Sequence, residues 1–237
     1  MSRMAIIAAF AAELGPLVRG WRGESRGGVE LWRRSHGGDE WIAACAGAGV
    51  NRAARAFAEI ERDGAIDLVL STGWAGALRG ELAAGRAYRV SGVIDPSTGE
   101  RFRATGEFGE LWLVTSDRVA DQTEKRRLAG AHGAGLVDME AVGIARLAAM
   151  RRIPFYCIKG VSDGMADQLP DFNGFISRDG RFQRARFVGF ALLRPWHWLA
   201  LLRLGENSRR AALALRISLL AVLEQRRAPG DGRPRPN

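Results

Sequence analysis

Cysteine is scarce in this chain: among 237 residues only Cys45 and Cys157 are cysteines. They are far apart, match no metal-ligand spacing and lie in apolar, strand-like runs, where a reduced and buried thiol is the expected state. Neither a disulfide framework nor a cysteine-based metal centre is read, and no metal or organic cofactor is implied elsewhere. Lysine is equally scarce, since Lys125 and Lys159 are the only lysines among 35 basic residues. Met1-Ser-Arg-Met-Ala5 enters an apolar strand pattern without the basic region, long apolar stretch and small-residue cleavage site of a secretory signal, so a cytoplasmic protein is expected. There are no internal repeats. An apolar fraction of 47% and a charged fraction of 26% exclude a disordered chain and a membrane-spanning bundle.

The net charge of +9 invites a nucleic-acid reading, but its distribution argues against one. Residues 178–237 carry 13 arginines against four acidic residues, whereas the first 177 residues hold 22 basic and 22 acidic ones. A basic tail on a neutral domain fits an anionic membrane surface, RNA or an arginine-rich proteome. The basic residues lack regular aromatic interleaving and form no recognisable module, so no nucleic acid is expected.

Apolar runs and glycine punctuation give the organisation. Ala5–Phe10 reads as a buried parallel strand ending near Glu13, and Val29–Arg34 with Trp41–Ala46 as a strand pair joined by a turn at His36–Asp39. Gly47-Ala-Gly49 then opens a helix over Ala53–Ile60. Asp67–Thr72 reads as another buried strand running into a second glycine turn, Gly73-Trp-Ala-Gly76. Strands are possible at Ala87–Ile94 and Leu111–Thr115; Ala141–Met150 reads as a helix, and Phe155–Val161 as a strand stopping at Ser162-Asp163. Alternating strands and helices predict a three-layer α/β/α fold with a central mixed sheet over residues 1–177. Pro195 opens a short helix to Leu204 that Gly205 closes, and Asn207-Ser208 cap a last helix to about Arg227. Residues 178–227 thus read as a basic, apolar helical extension, and 228–237, rich in Pro, Gly and Arg, as a disordered tail.

Glu13, Glu140 and Asp163 stand apart because each ends an apolar segment, where solubility does not require a carboxylate. Each also has a plain structural explanation: Glu13 and Glu140 as helix-start carboxylates, Asp163 as a helix N-cap. The segments around them, Ile6-Ile-Ala-Ala-Phe-Ala-Ala-Glu13, Ser71-Thr-Gly-Trp-Ala-Gly-Ala-Leu78, Val137-Asp-Met-Glu-Ala141 and Lys159-Gly-Val-Ser-Asp163, occur in the order and approximate spacing of the methylthioadenosine/S-adenosylhomocysteine nucleosidases. None of the motifs is specific alone; four in order are. The chain therefore resembles the nucleoside phosphorylase and nucleosidase superfamily over roughly residues 4–175.

The resemblance implies cleavage of the N-glycosidic bond of an adenosine-type nucleoside. Asp163, beside Ser162, would hydrogen-bond the purine and protonate N7, its burial favouring the protonated form; Glu140 would hold the ribose hydroxyls, with Met139 packed under the sugar; Glu13 would activate the nucleophile. The chemistry agrees, because breaking this bond builds positive charge on the sugar that carboxylates stabilise. Gly49, Gly73 and Trp74 line the two turns, whose backbone N–H groups can approach a phosphate or sugar oxygen, although any α/β protein needs tight turns. In the superfamily's phosphorylases inorganic phosphate replaces water as co-substrate and a cationic side chain helps hold it; the resemblance makes Lys159, which stands where the nucleosidases carry an arginine, the candidate for that role, with Gly49 beside the phosphate.

Two departures matter. Trp74 replaces a serine, and the stretch from Gly76 to Glu140 is shorter than in the nucleosidases, which opens the 5′ side. Together with Asp117-Arg118-Val119 and Glu124-Lys-Arg126, this layout looks more like the hopanoid-associated phosphorylase branch, whose members act on adenosylhopane. That similarity implies phosphorolysis of a lipid-linked nucleoside; hydrolysis by a methylthioadenosine/S-adenosylhomocysteine nucleosidase is the alternative, and a non-catalytic nucleoside-binding or membrane-docking protein of the same fold is the rival from another class. A homodimer is expected. Leu192–Leu204 is too short to span a bilayer, which takes about 20 apolar residues, but its tryptophans and arginines suit an interface. Peripheral membrane contact through 192–227 and packing against the sheet or a dimer contact are equally open.

Overall fold

The computed structural model of the chain describes residues 2–106, 110–177 and 180–225. The expected tail at 228–237, with Arg226 and Arg227, lies outside the described residues. In chain order the elements are β1 (Arg3–Ala8), α1 (Ala11–Val18), β2 (Arg22–Arg26), β3 (Val29–His36), β4 (Asp39–Cys45), α2 (Val50–Glu61), β5 (Leu68–Ser71), β6 (Trp74–Ala77), β7 (Ala87–Arg89), β8 (Gly92–Ile94), β9 (Arg101–Arg103) and β10 (Trp112–Thr115). They continue with α3 (Gln122–His132), β11 (Leu136–Asp138), α4 (Ala141–Arg151), β12 (Phe155–Asp163), α5 (Arg184–Leu192) and α6 (Trp198–Gln225), with short 3-10 turns at Asn173–Phe175 and Pro195–His197.

One mixed twelve-stranded sheet runs in the order β2-β3-β4-β1-β5-β12-β6-β11-β10-β8-β9, and β7 pairs with β12. Its centre is parallel, β4-β1-β5-β12, and these strands are largely apolar on both faces because helices cover both sides of the sheet. On one face α2 and α4 bury Phe57, Ile60 and Ile144 against Ile7 and Val69. On the other, α1 and the second half of α6 bury Leu14, Leu17, Leu215 and Leu219 against Ile6, Leu70 and Ile158. The expected three-layer architecture with a C-terminal helix is thus observed. Cys45 and Cys157 are free and buried, and burial pushes each thiol up to about 12.

Four local expectations are corrected. Gly73–Gly76 is not a turn: Trp74–Ala77 is β6, inserted between β12 (parallel) and β11 (antiparallel). β12 does not stop before Ser162 but runs on to Asp163, with a register shift between Val161 and Asp163. Ala87–Ile94 is two strands rather than one. The break at Gly205 does not occur, and α6 is continuous through it; an interior glycine costs a helix only about 1 kcal/mol. Elements not expected are the charged edge strand β2, the short strands β9 and β11, and α3, which is capped by Asp121 accepting from the Glu124 amide at 2.8 Å.

The second half of α6 lies directly on β12. A Cβ added at Gly160 would sit 3.0 Å from Ala211 Cβ and 3.1 Å from both the Ala211 carbonyl oxygen and Leu215 Cδ1. Gly160→Val is therefore expected to push helix from sheet and to cost about 1–3 kcal/mol. Urea unfolding checks this, and an unchanged midpoint would show that the contact is not tight.

Candidate active site

The parallel strands all bring their C-terminal ends to one edge, where α/β proteins place their ligands. Beneath that edge lies a buried ion pair. Lys159 Nζ on β12 is 2.9 Å from Asp138 Oδ2 on β11, and both side chains are wholly inaccessible. The ammonium also donates to the Thr72 carbonyl at 2.8 Å, just past β5. Asp138 accepts from the Thr115 hydroxyl at 2.8 Å and from the Ala141 amide at 2.9 Å, and Thr115 in turn accepts from the Val142 amide at 3.1 Å. Burial works against the lysine's charge, but the Asp138 carboxylate outweighs it and holds the ammonium's pKa above its ordinary value. Four strand ends and the start of α4 are thereby tied to one buried pair.

Above this floor, Glu13, Glu140 and Asp163 line a single cavity of about 150 Å³, together with Trp74, Met139 and Ser162. Glu13, on the first turn of α1, accepts the Trp74 amide at 2.6 Å and the Phe10 amide at 2.7 Å through its two oxygens. It is thus both a helix-start carboxylate and a cavity wall. Burial raises its pKa against the pull of those two amides. Glu140 accepts the Gly49 amide at 2.8 Å, and burial, then the Asp138 carboxylate, push its pKa up. Asp163 Oδ1 accepts from the Ser162 hydroxyl at 2.6 Å. Two glycines make room for the acids. At Gly73, with φ +113°, a Cβ would lie 2.7 Å from Glu13 Oε1; at Gly76 it would lie 3.2 Å from Asp163 Oδ2.

The other expected site residues divide. Met139 lines both this cavity and a neighbouring one of about 960 Å³, which Gly49, Val50, Asn51 and Arg52 also line. Gly73 and Lys159 line neither. Lys159, expected to hold phosphate, has its ammonium committed to Asp138 and Thr72, and the Gly49 amide, expected at phosphate too, is taken by Glu140. Trp74, read as a lost hydroxyl, instead donates its indole N–H to the Ser208 carbonyl at 3.0 Å and so fastens α6 to the site.

One charged residue of the cavity is not singled out by the sequence reading. Lys125 on α3 is 2% exposed, lines the small cavity, and donates to Asp163 Oδ2 and, at 2.7 Å, to the Gly164 carbonyl. Burial alone was expected to keep Asp163 protonated; the structure makes it half of an ion pair instead. The available signal was the rarity of lysine, but only the phase of α3 separates Lys125 from the adjacent Arg126 and Arg127.

Comparison with known proteins places this architecture. The model of the phosphorylase superfamily matches residues 111–191. No curated protein matches the sequence. Among solved structures, the 5′-methylthioadenosine/S-adenosylhomocysteine nucleosidase of Helicobacter pylori, bound to butyl-thio-DADMe-Immucillin-A, superposes with a TM-score of 0.72 at 15% identity, covering 95% of this chain and 99% of that one. The 5′-methylthioadenosine nucleosidase of Arabidopsis thaliana gives 0.74 at 17% identity, covering 97% and 98%. Futalosine hydrolase of Helicobacter pylori gives 0.72 at 14%, covering 94% and 98%. The fold is that of the nucleoside phosphorylase and nucleosidase superfamily.

Removing one partner of a fully buried ion pair leaves an uncompensated charge. Lys159→Met is expected to destabilise the protein by about 3–5 kcal/mol, because Asp138 is left buried without its cation. A loss under about 1 kcal/mol in denaturant unfolding, the worth of an exposed pair, would contradict the role given to this pair.

Proposed function

We propose that this chain is an enzyme that cleaves the N-glycosidic bond of an adenosine-type purine nucleoside, releasing adenine, with water as the nucleophile. One observation carries the reading: three buried carboxylates from α1, the start of α4 and the end of β12 converge on one small cavity, and one of them is paired with a buried ammonium. As C1′–N9 breaks, the bonding electrons leave with the base and the ribose ring becomes cationic. A proton delivered to N7 neutralises the leaving group, and carboxylates facing the ring stabilise the cation. Asp163 contacts the base and relays to N7 a proton taken from the Lys125 ammonium beside it, leaving a neutral lysine that water reprotonates after the base departs. Glu140 binds the ribose hydroxyls. Glu13 accepts a proton from the attacking water, since each of its oxygens keeps a second lone pair beyond the amide it already accepts.

Water is favoured over phosphate because the two donors expected to hold an anion, Lys159 and the Gly49 amide, are occupied internally, and because Glu13 and Glu140 would repel a dianion. Phosphorolysis is the second reading, and one observation favours it: the N-terminus of α2 has no side-chain cap, and its first residues, Val50, Asn51 and Arg52, line the larger cavity. That cavity, sharing Arg118, Met139 and Ile176 with the small one, has room for a large 5′ substituent such as that of adenosylhopane, although its lining of Arg52, Asp95, Asp117, Arg127 and Arg146 suits a polar group better than an apolar chain. The same reading takes the enzyme to be a cytoplasmic homodimer.

Adenine release from 5′-deoxyadenosyl compounds, followed by chromatography with and without phosphate, tests the nucleophile. Equal rates are expected. Strict phosphate dependence would overturn the water reading, and no release under either condition would overturn both. Asp163→Asn and Lys125→Met are each expected to lower kcat by about 10²–10⁴-fold while sparing nucleoside binding. Glu13 works deprotonated, and burial raises its pKa, so kcat/KM should fall on acidification at a pH above the ordinary carboxylate range. Glu13→Gln should abolish that acid limb along with most of the activity; an unaltered limb would remove Glu13 from the mechanism.

A further inference from the structure

α6 changes character along its length. From Ser208 onward it is anchored in the core by Ala211, Ala212, Leu215 and Leu219, whereas none of its residues from Trp198 to Asn207 is buried. With α5 and the Pro195–His197 turn, these first residues form an arm standing on the body of the protein. The arm is apolar where it is bare: Leu192, Leu193, Trp196 and Leu202 are 67%, 77%, 70% and 72% exposed, and Trp198 and Leu199 are exposed as well. Soluble proteins seldom leave so many large apolar side chains in water along one segment without a partner. Residues 180–207 also carry five arginines and a single acidic residue, Glu206.

We infer that this arm is a docking face for an anionic membrane surface. The pairing of apolar and cationic groups decides between occupants. A second copy of the chain related by a twofold axis would set one basic arm against another, which like-charge repulsion opposes. Anionic headgroups complement the arginines, and the tryptophans and leucines enter the boundary between headgroup and acyl chain. The contact is peripheral, since no described helix is long and apolar enough to cross a membrane.

The arm is also continuous with the rim of the larger cavity. Phe187 and Phe190 on α5 pack on Phe175 with ring centroids 5.5 and 5.0 Å apart, and the neighbouring Asn173, Ile176 and Ser177 line that cavity. At the other end, the Trp74 indole holds the Ser208 carbonyl at the point where α6 passes from bare to buried. A bilayer under the arm therefore lies beside the cavity mouth. Docking stands on exposure and charge and does not depend on which nucleoside is cleaved.

Flotation of the full-length protein with vesicles of phosphatidylcholine alone, and of phosphatidylcholine with phosphatidylglycerol, tests this. The protein should float with the anionic vesicles only, with a blue shift of tryptophan emission, and should be released by high salt. Leu193→Glu/Trp196→Glu/Leu202→Glu and, separately, Arg194→Glu/Arg203→Glu should each weaken binding by about tenfold or more. All five side chains lie on the arm, outside the core, so thermal midpoints should match the parent and adenine release should persist, which separates failure of docking from failure of the cleavage reading. Absence of wild-type binding to anionic vesicles, or variants that bind like wild type, would overturn the proposal. So would sedimentation showing that the parent self-associates, the triple variant does not, and neither binds vesicles, which would assign the face to a second copy.

Discussion

The site rests on the ion pair between Lys159 and Asp138. A carboxylate and an ammonium, both sealed from water, tolerate burial only when their remaining donors and acceptors are also satisfied. Here they are satisfied by groups from different elements: the Thr72 carbonyl after β5, the Thr115 hydroxyl on β10 and the first amide of α4. Any shift between those strands would leave one of these groups unpaired in a dry environment. The pair therefore fixes the register of the strand ends that carry the cavity, and with them the backbone from which Glu140 projects.

On that fixed floor, the three carboxylates differ in what restrains them. Glu13 is held by two amides, one from its own helix start and one from β6. Glu140 is held by the Gly49 amide at the entrance to α2, close enough to Asp138 to be pushed toward its neutral form. Asp163 is held by a hydroxyl and an ammonium. In the proposed reaction these environments divide the labour between Glu13, a buried carboxylate that takes up a proton, and Asp163, which has the Lys125 ammonium beside it. β6 and the residue before it make this possible: Gly73 leaves room for Glu13, Gly76 leaves room for Asp163, and Trp74 anchors α6 across the back of the site.

Much of this was legible in the sequence, for identifiable reasons. β1, β5 and β12 are buried on both faces and so read as apolar runs, and a carboxylate closing such a run stands out. Glu13, Glu140 and Asp163 were found that way, without knowledge of how they meet. β6 was misread because Gly73-Trp-Ala-Gly76 carries the local signals of a turn, and its strand pairing is supplied by β11 and β12 from far along the chain. α3 was missed because it buries only Lys125 and Leu128, too few for an apolar period. The sequence does not separate the two lysines: the partner of Lys159 lies on another strand, so its commitment to Asp138 is invisible locally, and the direction of Lys125 depends on the phase of α3. The stop expected at Gly205 does not occur because one glycine costs a helix only about 1 kcal/mol, too little to end it.

The central claim is that this cavity is built to stabilise a cationic sugar and a protonated base, and its most direct test is calorimetric. Binding of a nucleoside analogue whose sugar is replaced by a protonated pyrrolidine should be compared with that of its neutral carbocyclic counterpart. Carboxylates aimed at the ring predict that the cation binds more tightly by about 10²-fold or more. Equal affinity for the two compounds would mean that Glu13, Glu140 and Asp163 do not act on the sugar, and would contradict the account.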